Sequence, residues 1–178
     1  MTSLRTFRSD EMTPEEERIL RGLFALAWGS EDFSETDWGN ALGGLHFVAE
    51  DERGILAHAS VVPRELHVEE RPLRTGYVEA MATRPALQGR GIGTEVLRAV
   101  NDHIVDACEL GALDTGSEWF YRRLGWLRWR GPTFVRTADG VFRTEDEDGN
   151  IMVLPTTASG PLDVEASITC DWRPGDVW

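Results

Sequence analysis

The stretch Tyr-Val-Glu-Ala-Met-Ala-Thr-Arg-Pro-Ala-Leu-Gln-Gly-Arg-Gly-Ile-Gly, residues 77–93, decides the fold. A short apolar run with one acid, Glu79, leads into a proline, then into three closely spaced glycines, and then into a helical pattern over residues 94–108. This order predicts a strand, a glycine-rich turn and a helix. The first N–H groups of a helix lack intrahelical partners, and glycines let an anion approach them closely. The stretch therefore predicts a phosphate-binding turn.

The turn from Gln88 to Gly93 fits neither the dinucleotide fingerprint Gly-x-Gly-x-x-Gly nor a P-loop. It resembles the pyrophosphate loop of the GCN5-related N-acetyltransferases (GNAT), which has the form Gln/Arg-x-x-Gly-x-Gly/Ala. The alternative is a glycine-rich turn that opens an ordinary helix. The resemblance implies acetyl-coenzyme A (acetyl-CoA) as cosubstrate, with its diphosphate on the backbone amides of the loop. The residues it assigns to the cosubstrate are Met81, Thr83, Gln88, Gly89, Arg90, Gly91, Ile92, Gly93 and Thr94.

Composition limits the class of protein. The 178 residues and a hydrophobic content of 41% suit one domain spanning residues 1–178. A net charge of -13 argues against nucleic acid as a partner and favours a cationic ligand, unless it serves solubility alone. No apolar run is long enough for a membrane span and no secretion signal opens the chain, so we expect a cytoplasmic protein with no membrane partner. Cys108 and Cys170 suit buried thiols rather than a metal site or a disulfide framework.

The N-terminal part of the chain predicts a helix followed by a polar loop. Thr13 as N-cap, Pro14 at the first helical position and Glu16 three residues after the cap predict a helix over residues 15–28. Residues 29–40 are acidic and polar and are interpreted as a loop. The loop could simply be solvated, or its aromatic residues and carboxylates could form a rim that binds a cation.

The middle of the chain predicts strands. Residues 45–50 and 55–63 have strand patterns around a turn and form an apparent hairpin, which residues 65–68 and 73–75 extend. Three histidines fall on these strands at no metal-ligand spacing and are interpreted as structural, with one of them as a possible cleft residue: His46, His58 and His67.

After the glycine-rich turn, the pattern predicts a helix that ends near Leu110, a very short strand over residues 112–114 and a helix over residues 118–124 capped by Ser117. Further strands are expected over residues 133–137 and 151–154, separated by an acidic turn. An aromatic after Pro-Gly at residue 178 predicts an ordered end of the chain.

The segment from Trp119 to Trp126 resembles a second acetyltransferase signature, an aromatic helix followed by Leu-Gly and a strand. The resemblance implies that Tyr121 lies beside the thioester sulfur. The alternative is a core aromatic whose hydroxyl is hydrogen-bonded locally.

Longer motifs resemble one group within this superfamily, the aminoglycoside 2′-N-acetyltransferases. They are Asp32-Phe33-Ser34-Glu35-Thr36-Asp37-Trp38, Leu42-Gly43-Gly44, Gly76-Tyr77-Val78-Glu79, Leu110-Gly111-Ala112-Leu113, Gly131-Pro132-Thr133 and residues 170–178. The resemblance implies a mixed, mostly antiparallel α/β fold, splayed after the central strand and with helices on both faces. It also implies a homodimer and the acetylation of the 2′-amine of aminoglycoside antibiotics.

Carried over position by position, the resemblance assigns Glu79 as the base that takes the 2′-ammonium proton through water and Tyr121 as the acid that protonates the departing thiolate. The substrate-binding residues that it implies are Asp32, Asp37, Glu79, Asp114, Glu147, Asp176 and Trp178. Asp114 stands where the mycobacterial members have Ser, and Glu147 stands where they have Asp. No metal is implied.

The implied chemistry is consistent with these residue types. A sugar amine attacks a thioester only when neutral, so a group within hydrogen-bond reach must remove its proton. The developing oxyanion needs donors already in place, and backbone N–H groups near Met81 are the candidates. Two alternatives stay open: an N-acetyltransferase for another polyamine or a cell-envelope amino sugar, and a coenzyme A-responsive binding protein without catalysis.

Overall fold

The computed structural model describes residues 2–29 and 33–178. The chain forms two compact units. The first unit holds the residues up to Val62 together with Val78–Val100, and the second holds Pro63–Tyr77 and Asn101–Trp178.

The first unit contains the N-terminal helices and one end of the sheet. Its elements are β1 (Ser3–Arg8), α1 (Pro14–Trp28), α2 (Glu35–Asn40), β2 (Leu45–Asp51), and parts of β3 (Gly54–Val68), β4 (Arg71–Thr83) and α3 (Ile92–Ala107). The last three elements continue into the second unit.

The predicted first helix is confirmed, and its N-terminus explains its start. The Glu16 amide donates to Thr13 Oγ1 at 3.2 Å, and the Thr13 amide donates to Glu16 Oε2 at 2.8 Å, which satisfies two helix-end donors reciprocally. The helix buries Leu20, Leu23 and Phe24 against the sheet.

The predicted loop over residues 29–40 is partly wrong, because its second half is the helix α2. Ser34 caps this helix, and its side chain accepts a hydrogen bond from the Asp37 amide at 3.2 Å. Trp38 is buried in the core of the first unit and Phe33 packs against the same cluster. The aromatics of this segment are therefore core residues rather than a rim.

The predicted hairpin of β2 and β3 is confirmed as an antiparallel pair, and β1 pairs antiparallel with β2. The register of β2 against β3 shifts by one residue between Ala49 and Glu50. β3 is longer than expected, because residues 65–68 continue it instead of forming a separate strand. β4 likewise includes residues 73–75, which were expected to be part of the meander.

The second unit contains the remaining strands. Its own elements are β5 (Leu110–Asp114), α4 (Glu118–Arg122), β6 (Leu127–Arg128), β7 (Thr133–Thr137), β8 (Gly140–Arg143), β9 (Ile151–Pro155) and β10 (Ile168–Asp171). β5 runs parallel to β4 and antiparallel to β9, whereas β10 runs parallel to β7 and antiparallel to β3. Most pairs are antiparallel, so the sheet is mixed and mostly antiparallel, as expected.

Three tryptophans with satisfied N–H groups fill the core of the second unit. Trp126 donates to Asn101 Oδ1 at 2.9 Å, Trp129 donates to the Ala166 carbonyl at 2.9 Å, and Trp178 donates to Thr144 Oγ1 at 3.0 Å. Because a buried indole is stabilised only when its N–H finds a partner, these bonds fix where each ring lies.

Element boundaries in the second unit differ modestly from expectation. α3 ends at Ala107 and β5 already begins at Leu110, while α4 ends at Arg122. Ser117 precedes α4 but makes no side-chain capping bond there. β8 was not predicted, and only its last residue, Arg143, belongs to the stretch that was interpreted as an acidic turn.

Both cysteines are free thiols; Cys170 is buried, as expected, whereas Cys108 is only half-buried. Burial raises the pKa of Cys170 to about 11 and also raises the pKa of Cys108. Within the described residues, no helix has the length and apolar content that crossing a membrane requires.

Candidate active site

The glycine-rich turn has the backbone that a phosphate loop requires. Gly89 and Gly91 have φ angles of 74° and 85°, a conformation that disfavours residues with a side chain. The first bond of α3 runs from the Glu95 amide to the Gly91 carbonyl at 3.0 Å. Helix geometry leaves the amides of Ile92 and Gly93 without intrahelical partners, and they stand at the positive end of the helix dipole.

Side chains around this turn fix its start. Gln88 Nε2 donates to the Thr83 carbonyl at 3.3 Å and Arg84 Nε donates to the Ile55 carbonyl at 2.7 Å, so both hold the turn against the ends of strands. Arg90 is exposed and Thr94 is half-buried. The turn thus offers amides and one exposed cation to an anion.

Glu79 and Met81 flank a bend in β4. Ala80 between them has a φ of 50°, an uncommon value for a residue other than glycine, which costs roughly 1–2 kcal/mol. The carbonyl of Glu79 accepts a hydrogen bond from Ser60 Oγ at 3.4 Å. Glu79 and Met81 are both half-buried and belong to the first unit, like the glycine-rich turn.

Three of the predicted substrate-binding acids lie together in the second unit: Asp114, Glu147 and Asp176. Burial and then the negative charge of Asp176 raise the pKa of Asp114. Burial, Asp114 and Asp176 in turn raise the pKa of Glu147. Acids whose ionisation is opposed by burial and by neighbouring carboxylates are typical of a site that a multivalent cation would stabilise.

The neighbouring residue Asp148 stabilises the turn that contains Glu147. Asp148 forms a two-point ion pair with Arg143, at 2.8 Å and 2.6 Å, and accepts bonds from Thr133. The Arg143 hydrogen bond, the largest effect, lowers the pKa of Asp148 to about 2. Asp148 therefore has a structural role, while Glu147 lies among other carboxylates.

Two arginines anchor the last residues of the chain. Arg64 Nη2 donates to the carbonyls of Asp171 and Val177 at 3.0 Å and 2.7 Å, and Arg173 Nη2 donates to the Trp178 carbonyl at 2.7 Å. Both guanidinium groups lie over the Tyr77 ring. The expected ordered end is confirmed, because the Trp178 side chain is buried.

Asp37 is engaged in the N-cap of α2. Its Oδ2 accepts from the Ser34 amide at 2.7 Å and from the Ser34 hydroxyl at 2.8 Å. Its carboxylate is therefore fixed by a helix end in the first unit. Asp32, the other acid expected in this segment, lies outside the described residues.

Tyr121 is buried in the second unit, and its ring meets the edge of Trp126 at 5.9 Å between ring centres. Burial raises the pKa of its hydroxyl, while a hydrogen bond with the Thr115 side chain acts in the opposite direction. The phenol therefore stays protonated, which suits a proton donor and not a base. The bond with Thr115 also matches the alternative of a locally bonded core tyrosine.

Sequence reasoning missed two features of these sites. Nothing in the motifs singled out Arg64 and Arg173 as anchors of the chain end. His46 and His58 were interpreted as structural but not as a bonded pair, although they share a 2.8 Å hydrogen bond. In the part of the chain that the structure describes, no group of three or more His, Cys, Asp or Glu is arranged to hold a metal ion.

Comparison with known proteins assigns the chain to a family. Residues 43–127 match the family model for the acetyltransferase (GNAT) domain. The chain is 45% identical, over 151 residues, to an aminoglycoside 2′-N-acetyltransferase from Mycolicibacterium fortuitum, and the match covers 83% of this chain and 77% of that protein. The chain belongs to the aminoglycoside 2′-N-acetyltransferase family.

Solved structures agree with the GNAT fold of this family. The GNAT family N-acetyltransferase YhbS from Escherichia coli, in complex with CoA, is 12% identical with a TM-score of 0.67, covering 95% of this chain and 89% of that one. The ribosomal-protein-S18-alanine N-acetyltransferase from the same organism is 18% identical with a TM-score of 0.61, covering 92% and 99%. At these identities the likeness concerns the fold alone. The expected α/β fold class is thereby confirmed, and the family assignment makes the protein an acyltransferase.

Proposed function

We propose that this family member transfers the acetyl group of acetyl-CoA to the 2′-amine of aminoglycosides. The observation that carries the proposal is the cluster of Asp114, Glu147 and Asp176, where the charge of Asp176 opposes the ionisation of the other two acids and Asp114 also opposes that of Glu147. An aminoglycoside carries several ammonium groups, and such a polycation would relieve this repulsion on binding. Asp32 and Asp37 are proposed to add further anionic contacts, and Trp178 is proposed to contact the substrate as well.

The cosubstrate is proposed to bind the glycine-rich turn. The amides of residues 89–94 would hold the diphosphate, with Arg90 as a local cation against the unfavourable net charge of -13. Gln88 and Thr83 would shape the loop through their mutual hydrogen bond.

Glu79 is proposed as the base and Tyr121 as the acid. The ammonium proton passes to Glu79 through water, the neutral amine nitrogen attacks the thioester carbonyl carbon, and the backbone N–H near Met81 stabilises the oxyanion. The carbon–sulfur bond then breaks and Tyr121 protonates the thiolate, while the nitrogen loses its second proton to water, from which Tyr121 is reprotonated. The acetyl group passes directly from sulfur to nitrogen, so no enzyme-bound acyl group forms.

The family and the composition also support proposals on the domain organisation, the location and the oligomeric state of the protein. We propose that residues 1–178 act as one acetyltransferase domain, that the protein works in the cytoplasm, and that it forms a homodimer. The oligomeric state can be measured by analytical ultracentrifugation.

The decisive experiment is thiol release from acetyl-CoA with paired antibiotics. We expect turnover with tobramycin and kanamycin B, which have a 2′-amine, and none with kanamycin A and amikacin, which have a 2′-hydroxyl. Turnover of all four would contradict the proposed position, and turnover of none would favour another amine substrate or a binding role.

A Glu79→Ala variant separates catalysis from binding. We expect it to lose turnover while it still binds CoA in calorimetry, because the glycine-rich turn is unaltered. Retained turnover would overturn the assignment of the base.

A further inference from the structure

A continuous chain of hydrogen bonds crosses the first unit and ends beside Glu79. Ser9 Oγ lies 2.8 Å from His46 Nε2, His46 Nδ1 lies 2.8 Å from His58 Nε2, and His58 Nδ1 lies 2.9 Å from the Ala80 carbonyl oxygen. The chain thus links the segment after β1 to the bend in β4 through one side chain each from β2 and β3.

The direction of every bond in this chain follows from its last acceptor. A carbonyl oxygen can only accept, so His58 carries its proton on Nδ1, and its Nε2 accepts. His46 must then carry its proton on Nδ1 and accept at Nε2, where the Ser9 hydroxyl donates. Ser9 Oγ in turn accepts from the amides of Gly43 and Gly44 at 2.9 Å and 3.3 Å. Ser9 Oγ also lies 3.2 Å from the Gly44 carbonyl oxygen, but its one proton goes to the shorter 2.8 Å contact with His46. Every group therefore has a defined role when both imidazoles are neutral.

The surroundings of the two histidines keep them neutral and fixed. Both side chains are fully buried. Phe7 stacks on His46 with 5.2 Å between ring centres, and Phe24 meets His58 edge-on at 5.2 Å. Desolvation lowers the pKa of His46 to about 4 and, together with the neighbouring His46, lowers the pKa of His58 to about 3. Two enclosed, neutral rings can hold neighbouring strands rigidly in place.

The bonds from β3 hold two consecutive carbonyls of the bend. Ser60 Oγ donates to the Glu79 carbonyl at 3.4 Å, and His58 donates to the next carbonyl, that of Ala80. Ala80 has a φ of 50°, which a residue with a side chain adopts only when its surroundings hold it there. A bend at this residue sets the direction of the Glu79 side chain before it and of the Met81 amide after it.

We propose that His58, oriented by His46 and Ser9, is a positioning residue that holds the left-handed bend at Ala80 and so fixes the direction of Glu79 and of the Met81 amide. This rests on the proposed function for the roles of Glu79 and Met81, whereas the effect on the bend itself does not. His58 touches neither substrate in this proposal and transfers no proton.

The test compares two substitutions of His58 in the full chain. His58→Leu removes the bond to the Ala80 carbonyl, while His58→Asn keeps an N–H donor near the position of Nδ1. We expect kcat with tobramycin to fall at least tenfold in H58L, with the KM for acetyl-CoA changed less than threefold, and to fall clearly less in H58N. Equal losses in the two variants, or a change in KM alone, would overturn the proposal.

A third variant distinguishes support of the bend from other effects. Glycine adopts a φ of 50° without a steric penalty, so adding Ala80→Gly to H58L should recover at least threefold of the lost kcat. No recovery would contradict the proposed support of the bend. If H58L does not fold, Ser60→Ala removes the bond to the neighbouring Glu79 carbonyl, and the weaker support of the bend should lower kcat by about threefold. An unchanged kcat in a folded S60A would count against the proposal.

Hydrogen exchange gives a readout that does not need activity. The backbone amides of residues 79–81 should exchange at least tenfold faster in H58L than in the unaltered protein, and H58N should lie between them. This outcome would support the role of His58 in holding the bend at Ala80 even if no aminoglycoside were acetylated. If the amides of residues 79–81 exchange at the same rate in H58L as in the unaltered protein, His58 does not hold the bend, even if the enzyme is active.

Discussion

Burial and the negative charge of Asp114 together raise the pKa of Glu147. Asp114 is the last residue of β5, whereas Glu147 lies in the acidic turn before β9. β5 and β9 are antiparallel neighbours with Asp114 opposite Ile151, and this register brings the two carboxylates together. Replacing Asp114 should therefore change the titration of Glu147.

Asp114→Asn should weaken aminoglycoside binding and shift its pH dependence. A cation binds the ionised carboxylates, so the KM for tobramycin should rise as the pH falls through the raised pKa values of Asp114 and Glu147. In D114N the pKa of Glu147 falls, and the rise in KM should move to lower pH. Asp139→Asn makes the same change in net charge at an exposed turn and should leave the profile unaltered. Equal effects of the two variants would contradict a local site.

Asp37→Asn separates substrate contact from helix capping. Ser34→Ala removes the side chain that caps α2 and should lower the free energy of unfolding by about 1 kcal/mol without changing the KM for tobramycin. D37N keeps one acceptor oxygen for the Ser34 bonds but loses the charge, so it should raise that KM severalfold and destabilise no more than S34A. If Asp37 only caps the helix, D37N should change the denaturant midpoint of unfolding and leave the KM for tobramycin unchanged.

Tyr121→Phe tests the proposed acid. Burial raises the pKa of the hydroxyl and keeps it protonated, so its removal should lower kcat by about 10²-fold or more while acetyl-CoA binding is kept. Thr115→Val removes only the local hydrogen-bond partner and serves as the control. If Y121F and T115V both keep kcat and each loses about 1 kcal/mol of stability, Tyr121 is a core tyrosine.

The buried histidines predict loss of stability in mild acid. Their pKa falls from 6.5 to about 4 for His46 and to about 3 for His58 on folding. At a pH below about 6.5 but above the folded-state pKa values, the unfolded chain binds protons on these histidines and the folded protein does not. The free energy of unfolding should therefore fall as the pH decreases from about 6.5 toward 4. Each histidine contributes a slope of about 1.4 kcal/mol per pH unit.

Urea denaturation at several pH values measures this slope. The raised pKa values of Asp114 and Glu147 act in the opposite direction, since the folded protein then binds protons before the unfolded chain does. A His46→Leu, His58→Leu double variant should therefore lose most of the acid-side decrease. An identical slope in the double variant would show that other groups cause it.

Ionic strength should affect the two substrates differently. At 0.1 M salt, mobile ions largely screen the attraction between exposed charges that are more than about 10 Å apart. The proposed aminoglycoside site consists mainly of carboxylates. The KM for tobramycin should therefore rise with added sodium chloride more than the KM for acetyl-CoA, whose proposed contacts are oriented amides. Parallel changes in both values would contradict an electrostatic role for the acids.

Local signals in the sequence predicted much of the fold. The box formed by Thr13 and Glu16 fixed the start of α1, and alternating apolar residues indicated β2 and β3. The same rules failed for α2, because its short helix buries Trp38 within a stretch whose acids suggested a loop. The family resemblance assigned Asp37 as a substrate ligand, and its bond to Ser34 could not be seen without the helix.

The sequence by itself determined the glycine-rich turn, the acid on β4 and the hairpin, because each depends on residues that are neighbours in the chain. The tertiary structure decided that His46 and His58 meet. An unbroken hairpin from Glu50 opposite Ile55 would set His46 opposite Ala59, with the two histidines on opposite faces of the sheet. The one-residue shift between Ala49 and Glu50 sets His46 opposite Ser60 and brings both rings to one face. A bulge depends on what packs against the strands, so only the folded protein decides which side chains it brings together.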